Sequence, residues 1–285
     1  MNILITGANG QLGNEMRVLS VQHTQHTYFF TDIAELDITS REAVCQFVKD
    51  NTIDIIVNCA AYTNVDRAEN DEQLAYAINA KAVENLGSSG AKVIHISTDY
   101  VFSGEGFVPY TEQDVVAPRT AYGRTKLAGE QLLRSVSPEA IIIRTAWLYS
   151  TFGNNFVKTM LRLGNERDNL GVVFDQIGSP TYAMDLAAAI FVIINSPIWH
   201  SGVYHFTNEG VCSWYDFTHE IFVQSKMLGC QLRPILSSEY QYQTPRPHFS
   251  VLDKSKIKST YGIHIPHWTE SLHSCLEKLT AKLDQ

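Results

Sequence analysis

This sequence predicts an α/β fold in which a doubly wound parallel sheet carries a smaller mixed α/β lobe. Short apolar runs rich in β-branched residues alternate with amphipathic stretches as far as Thr145, a pattern typical of parallel strands joined by helices. A glycine-rich turn directly follows the first apolar run, and the alternation becomes irregular after Trp147. A chain of 285 residues can form one large domain or two unequal ones.

The first half of the chain supplies the strands and helices of the predicted sheet. Buried strands are expected at residues 2–6, 26–31, 54–58, 92–96 and 140–144. Helices are expected between them at residues 11–19, 41–50, 69–86 and 119–134. The second of these helices has Thr39 or Ser40 as its cap and Glu42 in its first turn.

The second half is expected to return once to the sheet and then to build the smaller lobe. Helices are expected at residues 155–163, 184–194, 214–226 and 269–283, and strands at 172–175 and 202–206. A segment from Leu232 to Tyr242 and a Thr-Pro-Arg-Pro loop at 244–247 complete the lobe. The predicted first domain is therefore residues 1–148, rejoined by 172–200, and the lobe is residues 149–171 and 201–285. A small ligand is expected between the two.

Three glycines with the spacing GxxGxxG, namely Gly7, Gly10 and Gly13, follow the first predicted strand. Gly7 allows a tight turn, Gly10 lets the backbone approach a pyrophosphate, and Gly13 permits close packing of helix and strand. The N–H groups at the start of the next helix would point at the phosphates. These features indicate a Rossmann-type dinucleotide-binding domain; the alternative is a glycine-rich turn in another kind of α/β protein.

An acidic residue, Asp32, ends the second predicted strand at the distance expected for a group that holds an adenosine ribose. Its carboxylate would accept a hydrogen bond from the 2′-hydroxyl and repel a 2′-phosphate, which favours NADH over NADPH. The alternative is a carboxylate that only caps a turn. Asp37 and Ile38 follow it and are placed to line the adenine.

Tyr122 and Lys126 stand four residues apart in a predicted helix, so their side chains share a face. A tyrosine with a pKa near 10 is a weak acid–base group at neutral pH. A nearby ammonium and an oxidised nicotinamide would both lower that pKa. Ser97 and Thr98 end a predicted strand, where α/β sheets bind their ligands. This combination points to chemistry on a ketone or an alcohol, whereas the Tyr–Lys pair alone is common on protein surfaces.

Several segments resemble the extended short-chain dehydrogenase/reductase superfamily and, within it, the dTDP-4-dehydrorhamnose reductase family. The superfamily features are the glycine turn, Asn58-Cys-Ala-Ala-Tyr62, Ser97-Thr98 and the Tyr122/Lys126 pair. The segments similar to the reductase family are AAYTNVDRAE (60–69), STDYVF (97–102), YGRTKLAGE (122–130), RTAWLY (144–149), NNF (154–156) and GSPT (178–181). The resemblance covers residues 1–181 and continues weakly through 244–247.

The resemblance implies reduction of the C4 ketone of dTDP-4-dehydro-L-rhamnose, the last step of dTDP-L-rhamnose synthesis, with NADH or NADPH. It implies that Tyr122 protonates the carbonyl oxygen, Lys126 holds the nicotinamide ribose, and Thr98 hydrogen-bonds the same oxygen. Cofactor contacts are expected from Gly7, Asn9, Gly10, Gln11, Leu12, Gly13, Asp32, Asp37, Ile38, Ala60, Ala61, Tyr62, Asn79, Ser97, Tyr122 and Lys126. Substrate contacts are expected from Thr63, Val65, Asp99, Tyr100, Trp147, Asn155 and Arg246.

Two departures from related patterns narrow these expectations. Nucleotide-sugar 4,6-dehydratases resemble this chain but carry Thr-Asp-Glu, and Tyr100 stands here in place of that glutamate, which favours reduction over elimination. An epimerase or reductase acting on another nucleotide sugar stays open, because it would use the same Tyr and Lys. A noncatalytic regulatory subunit also stays open, although loss of Tyr122 or Lys126 would be its expected mark.

Some members of the reductase family bind Mg²⁺ at a dimer contact through three acidic side chains. Glu15 matches the first, whereas Met184 and Thr269 stand at the second and third positions, beside Asp185 and Glu270. One carboxylate is too few for a hard cation. We therefore expect no metal, a helix-surface role for Glu15, and a monomer or weak homodimer.

The loop from residue 99 to 118 is long for a compact domain, so we expect it to fold over the sugar or to be an irregular surface loop. Arg246 lies between Pro245 and Pro247, which stiffen its backbone, and its guanidinium is suited to grip a diphosphate. A solvated loop arginine is the alternative.

Composition excludes several classes of function. The formal net charge of −8 does not indicate a nucleic-acid or membrane surface. The apolar run at 187–194 is too short to span a bilayer, and no secretory signal is recognised at the amino end. The five cysteines form no CxxC pair, so reduced thiols in a cytoplasmic protein are expected.

Overall fold

The computed structural model describes residues 1–241 and 244–283. The strands in these residues are β1 (Asn2–Thr6), β2 (Thr27–Thr31), β3 (Ile55–Asn58), β4 (Lys92–Thr98), β5 (Ile141–Thr145), β6 (Leu148–Tyr149), β7 (Asn169–Val173), β8 (Ile177–Gly178), β9 (Thr181–Tyr182), β10 (Gly202–His205), β11 (Cys212–Ser213) and β12 (Gln231–Ile235).

The helices of the same residues connect these strands. They are α1 (Gln11–Ser20), α2 (Arg41–Asp50), α3 (Val65–Asn70), α4 (Glu72–Tyr76), α5 (Ala82–Gly87), α6 (Ala121–Val136), α7 (Phe156–Glu166), α8 (Ala183–Asn195), α9 (Trp214–Gln224), α10 (Ser255–Tyr261) and α11 (Trp268–Leu283). Short 3₁₀ turns form at Asp99–Val101 and Ser237–Glu239. None of the helices in the described residues is long and apolar enough to cross a membrane.

Six parallel strands form the main sheet in the order β10-β5-β4-β3-β1-β2. Successive side chains of a strand point to opposite faces. In β1, Ile3 and Ile5 therefore join the core cluster that contains α1 and α8, whereas Leu4 joins the cluster that contains α2 and α5. Helices cover both faces, so the predicted doubly wound α/β fold is confirmed. The strand order reverses between β1 and β3, which makes the carboxyl ends of those strands the expected ligand crevice.

Strand β10 belongs to this sheet rather than to the smaller lobe. It pairs with β5 from Gly202–Ile141 to His205–Arg144. Ile257, which follows it, packs in the same core cluster as α1 and α8. The predicted boundary at residue 201 had assigned this segment to the lobe, and its placement is corrected here. A four-residue strand carries no local signal of the sheet it joins, because pairing is set by long-range contacts.

The smaller lobe has its own apolar cluster. Aromatic and aliphatic side chains from α7, α9 and α11 pack around Tyr149 and Phe217, and β7 pairs in parallel with β12. Strand β7 begins three residues before the predicted 172–175 and ends before Phe174, which is exposed. Tyr242, the predicted end of one lobe segment, lies outside the described residues. The rest of the predicted division into two domains stays a prediction.

The single helix predicted at residues 69–86 is broken into several pieces. Asp71 ends α3 and caps α4 by accepting a hydrogen bond from the Leu74 N–H. A π-helical turn at Ala77–Lys81 then separates α4 from α5. The apolar positions Ala75, Ile78 and Ala82 continue through α4, the π turn and α5, so the periodicity alone could not locate the breaks. The π turn positions Asn79, whose role in the site is described below.

Candidate active site

The glycine turn presses the β1–α1 junction closely against β3. Gly7 has a φ of +61°, and a Cβ there would lie 2.7 Å from the backbone N of Ala60. A Cβ on Gly13 would lie 2.5 Å from the Gly7 carbonyl oxygen. At Gly10 an added Cβ would meet only the Gly7 oxygen, at 3.2 Å. The first and third glycines are thus required by packing, and the second leaves room for another group to approach the backbone.

A cavity of about 320 Å³ opens at the carboxyl ends of β1, β2 and β3. Seven of the predicted cofactor residues line it, namely Gly7, Gly10, Asp32, Asp37, Ile38, Ala60 and Ala61. The sequence did not predict the other lining residues, which are Thr6, Ile33, Leu36, Thr39, Cys59 and Ile78. Most of these are immediate neighbours of predicted residues, and that adjacency was the available signal.

The carboxylates at this cavity are held by backbone N–H groups. Asp32 accepts from Asn9 N at 3.1 Å and from Ile33 N at 2.9 Å, so it fixes the turn while it lines the cavity. Capping a turn and binding a cofactor are alternative roles for Asp32 in the sequence, and these contacts allow both. Asp37 accepts from the hydroxyl and the N–H of Thr39, and these hydrogen bonds lower its pKa.

Other predicted cofactor residues do not line the cavity. Asn79 is buried and bonds to both backbone groups of Tyr62, so it positions the Tyr62 loop. Leu12 is buried in the core beside the sheet. The Ser97 hydroxyl donates to Glu130. Gln11 reaches the Leu148 carbonyl and accepts from Asn155. These side chains contact neighbouring protein groups in the structure.

The predicted catalytic side chains come together where β4 meets α6. Tyr122 and Lys126 lie on α6, and the Thr98 hydroxyl at the end of β4 hydrogen-bonds the Tyr122 phenol. Thr120 caps the start of α6 by accepting from Gly123 N. Lys126 is 2% exposed and donates to the Ile96 carbonyl at 2.6 Å. The trio is therefore fixed by two rigid elements.

The acidities of Tyr122 and Lys126 are governed by burial. Burial raises the pKa of Tyr122 to about 12, while the Thr98 hydrogen bond acts in the opposite direction. Burial lowers the pKa of Lys126 to about 8. The expectation that Lys126 lowers the phenol pKa is wrong for the protein by itself, because the lysine bonds to Ile96 and desolvation dominates at the tyrosine. At neutral pH the phenol is protonated, which is the form that donates a proton.

Asp99 and Tyr100 adjoin the catalytic trio. Asp99 accepts from the Thr98 hydroxyl at 2.9 Å, and burial raises its pKa to about 7. The ring of Tyr100 meets the ring of Tyr122 edge to face, with the centroids 5.4 Å apart. Burial also raises the pKa of Tyr100 above its ordinary value, so this phenol is neutral at physiological pH. Tyr100 therefore supplies no base beside Tyr122, whereas the Asp99 carboxyl is partly ionised at neutral pH.

A larger cavity of about 550 Å³ lies on the other side of this cluster. Four predicted substrate residues line it, namely Asp99, Tyr100, Trp147 and Arg246. The smaller lobe contributes residues that the sequence did not single out, which include Phe156, Met160, Arg167, Gln176, Trp214 and Ser250. Thr63 and Val65 are not among the lining residues, and Asn155 instead caps α7 and bonds to the Ser150 carbonyl.

Trp147 forms one wall of the larger cavity. Its φ of +50° is unusual for a bulky residue, and its indole stacks on that of Trp214 with centroids 3.5 Å apart. Gly178 is required behind it, since a Cβ there would lie 2.6 Å from the indole. Backbone strain of this kind persists where the surroundings hold it in place, and it is common at ligand sites.

Arg246 lines the cavity and forms an ion pair with Asp66, with Nη2 and Oδ2 2.8 Å apart. The long loop of residues 99–118 packs against the segment that follows Arg246. Tyr110 N donates to the Val251 carbonyl, and a Cβ on Gly104 would collide with Pro247. The loop is therefore anchored beside the proposed diphosphate clamp.

Glu15 is a buried acid, and the predicted helix-surface role is wrong. It is 1% exposed and accepts from the Ser150 hydroxyl at 2.6 Å. Asp185 accepts from Asn208 and Ser271. In residues 1–241 and 244–283, His, Cys, Asp and Glu side chains form no group of three or more that could hold a metal ion. Glu15 and Asp185 are thus both engaged by protein donors.

Comparison with known proteins places this geometry among reductases. A family model described as the RmlD substrate binding domain matches residues 1–281. The dTDP-4-dehydrorhamnose reductase of Aggregatibacter actinomycetemcomitans is 40% identical over an alignment of 284 positions, which covers 95% of this chain and 96% of that protein. A crystal structure of dTDP-4-dehydrorhamnose reductase from Clostridium acetobutylicum has a TM-score of 0.94 at 43% identity, covering 98% of this chain and 100% of that chain. The crystal structure of dTDP-4-dehydrorhamnose reductase from Bacillus anthracis in complex with NADP has a TM-score of 0.93 at 40% identity, covering 97% and 99% respectively.

Proposed function

We propose, from the premise that this chain belongs to the family of the RmlD substrate binding domain, that it reduces the C4 ketone of dTDP-4-dehydro-L-rhamnose to give dTDP-L-rhamnose. The names of relatives about 40% identical over nearly the full chain support this reaction. The chain is accordingly an oxidoreductase that uses NADH or NADPH. The observation that carries the proposal is the position of Tyr122 between the two cavities.

Tyr122 adjoins elements of both cavities. Tyr122 and Tyr62 pack against the same cluster of Ala68, Ala75 and Ala121, and the Tyr62 loop carries Ala60 and Ala61 of the smaller cavity. The Tyr122 ring meets Tyr100, which lines the larger cavity. The Tyr122 phenol therefore lies at the boundary between the two cavities. A proton donor is needed there if the sugar carbonyl in one cavity is to be reduced by a cofactor in the other.

The smaller cavity suits a nicotinamide dinucleotide. The space above Gly10 admits a pyrophosphate, and the start of α1 directs backbone N–H groups toward it. Asp32 and Ile38 line this cavity, which supports their proposed contacts with the adenosine ribose and the adenine. The crystal structure with NADP from Bacillus anthracis supports a nicotinamide cofactor. When bound, that cofactor supplies the hydride.

The chain's own residues perform the proton chemistry. The neutral phenol of Tyr122 donates its proton to the oxygen at C4, and the Thr98 hydroxyl orients that phenol. Donors aimed at the oxygen stabilise the negative charge that develops there in the transition state. The Lys126 side chain holds the nicotinamide ribose. Because Tyr100 is a neutral phenol rather than a carboxylate, the site lacks the adjacent pair of acidic side chains that elimination of water would need.

The larger cavity is proposed for the nucleotide sugar. Its volume of about 550 Å³ lies in the range of small-molecule sites. Arg246 would hold the diphosphate, which must displace or share the ion pair with Asp66. Trp147 and Asp99 would contact the sugar. Contacts from Thr63, Val65 and Asn155, a monomeric or weakly dimeric state, and the division into two domains remain predictions.

The direct test is turnover of dTDP-4-dehydro-L-rhamnose with NADH and with NADPH, followed by loss of reduced-nicotinamide absorbance. The product should be dTDP-L-rhamnose by NMR, with one cofactor oxidised for each sugar reduced. Recovery of an epimerised ketone without cofactor oxidation would instead establish an epimerase. Binding of cofactor without any sugar conversion would contradict the proposal in favour of a regulatory subunit.

A further inference from the structure

A buried chain of hydrogen bonds links the cofactor cavity to the catalytic lysine. The Thr6 hydroxyl at the end of β1 donates to Asn58 Oδ1 at 2.8 Å, and Asn58 Nδ2 lies 3.0 Å from His95 Nδ1. His95 Nε2 lies 3.4 Å from Lys126 Nζ. All four residues are buried. Thr6 lines the smaller cavity, so this series of hydrogen bonds extends from the proposed dinucleotide site to α6.

The hydrogen atoms of this chain can be assigned from its donors. Asn58 Oδ1 accepts from Ala60 N at 3.1 Å, a group that can only donate, and also from the Thr6 hydroxyl. The other end of the amide is therefore the NH₂ group, which donates to His95 Nδ1. A neutral imidazole has one N–H, so the proton must be on Nε2. His95 is neutral, because burial holds its pKa well below the ordinary value.

The Nε2–H of His95 consequently points at Lys126 Nζ. An ammonium at Nζ would place two donors opposite each other, and the separation of 3.4 Å is long for a hydrogen bond. An uncharged amine could accept from Nε2–H while it donates to the Ile96 carbonyl at 2.6 Å. The local geometry thus stabilises the uncharged amine relative to an exposed lysine, so the amine loses its proton at a lower pH.

The other charged groups near α6 are engaged elsewhere. Glu130, one turn along the helix, is the carboxylate that raises the pKa of Lys126, and both of its oxygens accept from Arg144. Carboxylates on the elements packed against α6 have partners of their own, namely Asp66 with Arg246, Glu69 with Ala121 N, Glu72 with Arg124, Glu84 with Lys81 and Asp99 with Thr98. Tyr122, on the same helix, bonds to Thr98.

We propose that His95 is a positioning residue for the reaction. Held as its Nε2–H form by Thr6 and Asn58, it fixes the Lys126 amine against the Ile96 carbonyl and disfavours the ammonium until a bound dinucleotide provides acceptors. This inference deepens the proposed function, since it rests on Lys126 holding the nicotinamide ribose. One consequence is that cofactor binding takes up a proton above about pH 8, where burial has lowered the pKa of Lys126.

The primary test is a direct titration of Lys126 by NMR in the protein without cofactor, using lysine labelled with ¹³C at the ε position. The Lys126→Arg spectrum identifies the signal. In wild type the midpoint should lie near pH 8. In His95→Gln the side-chain amide can turn its oxygen toward Nζ, so the midpoint should rise by about one pH unit or more. In His95→Asn, which can still accept from Asn58 but does not reach Nζ, the rise should be smaller.

Equal midpoints in wild type and His95→Gln, measured in variants with wild-type circular dichroism, would overturn the inference. A second readout is the Kd for NADH or NADPH without sugar, from about pH 6 to 10. Wild type should lose affinity about tenfold for each pH unit above its midpoint, and His95→Gln should begin that loss at higher pH. A purely structural role would weaken binding equally at every pH and would contradict the proposal. Because neither readout needs sugar turnover, failure here is distinct from failure of the proposed reaction.

Discussion

Replacing Glu130 by Gln tests how the catalytic helix is attached to the sheet. Arg144 on β5 donates to both oxygens of Glu130, from Nε at 2.9 Å and from Nη2 at 2.7 Å. The two side chains are 5% and 4% exposed. Glutamine has the same shape but presents one NH₂ group to the guanidinium, so the substitution removes a charge and leaves two donors facing each other.

The cost of this substitution follows from burial. Removing one partner of a buried ion pair leaves an uncompensated charge, which typically costs about 3–5 kcal/mol. The unfolding entropy is about 2.1 cal/mol/K per residue, or about 0.6 kcal/mol/K for 285 residues that unfold together. Glu130→Gln should therefore lower the Tm by about 5–8 °C. Differential scanning calorimetry of the protein without cofactor measures this directly.

The chain offers a matched control in Glu166→Gln. Arg162 and Glu166 form a pair at 2.7 Å, but the side chains are more than half exposed. An exposed pair of this spacing contributes about 0.5 kcal/mol or less, so the Tm should fall by less than about 1 °C. Equal losses in the two variants would refute the reasoning that burial, rather than the ion pair itself, sets the cost.

Three further predictions follow from the site and its supports. Asp32→Asn removes the charge that would repel a 2′-phosphate, so the Kd ratio of NADPH to NADH should fall by about tenfold in fluorescence titrations; an unchanged ratio would remove Asp32 from cofactor selection. The pKa of Asp99 is about 7 in the folded protein against an ordinary 3.8, so the folded state binds one more proton than the unfolded state between these pH values. The stability that this proton provides is complete below about pH 4 and is lost as the pH rises through 7. Asp99→Asn should not show this loss. The free energy of unfolding in urea of the variant minus that of wild type should therefore rise by as much as about 4 kcal/mol from pH 4 to 8. A difference that stays constant over this range would contradict the assignment. Gly129→Ala would put a Cβ 2.0 Å from the Asn79 carbonyl oxygen and should cost about 1–3 kcal/mol, whereas Gly229→Ala meets nothing within 4 Å and should leave the Tm nearly unchanged; similar losses would mean that α6 does not need this close approach.

The sheet was predictable because its strands are buried on both faces. Continuous runs such as residues 2–6 and 141–145 are apolar and β-branched, and the structure has strands within a residue or two of the predicted bounds. The glycine turn was equally readable, since the positive φ of Gly7 and the close packing at Gly13 leave no room for a side chain. Local chemistry determines these features, so local sequence reveals them.

The features that the sequence did not reveal depend on distant partners. Glu15 is buried because the Ser150 hydroxyl, from a segment far along the chain, reaches it. Trp214, at the start of α9, lines the larger cavity because it stacks on Trp147, which lies far from it in the sequence. Strand β10 finds β5 rather than the lobe. Hydrophobic periodicity and residue type do not predict such long-range contacts.

The acidity of the catalytic pair was also beyond the sequence. Spacing correctly put Tyr122 and Lys126 on one helix, but their pKa values are set by burial and by hydrogen bonds to Thr98 and Ile96. A lysine one turn from a tyrosine lowers the phenol pKa strongly only when its ammonium faces the phenol oxygen. In this site the lysine instead faces a carbonyl and His95.

The most direct test of the account is the rate of dTDP-4-dehydro-L-rhamnose reduction by Tyr122→Phe, with Tyr28→Phe as a control whose hydroxyl bonds to His23 far from the site. Loss of the proton donor should lower kcat by about 100- to 10,000-fold while the cofactor Kd and the Tm stay near wild type. Tyr28→Phe should keep wild-type kcat. A Tyr122→Phe enzyme with kcat within about tenfold of wild type would contradict the central claim that this phenol protonates the C4 oxygen.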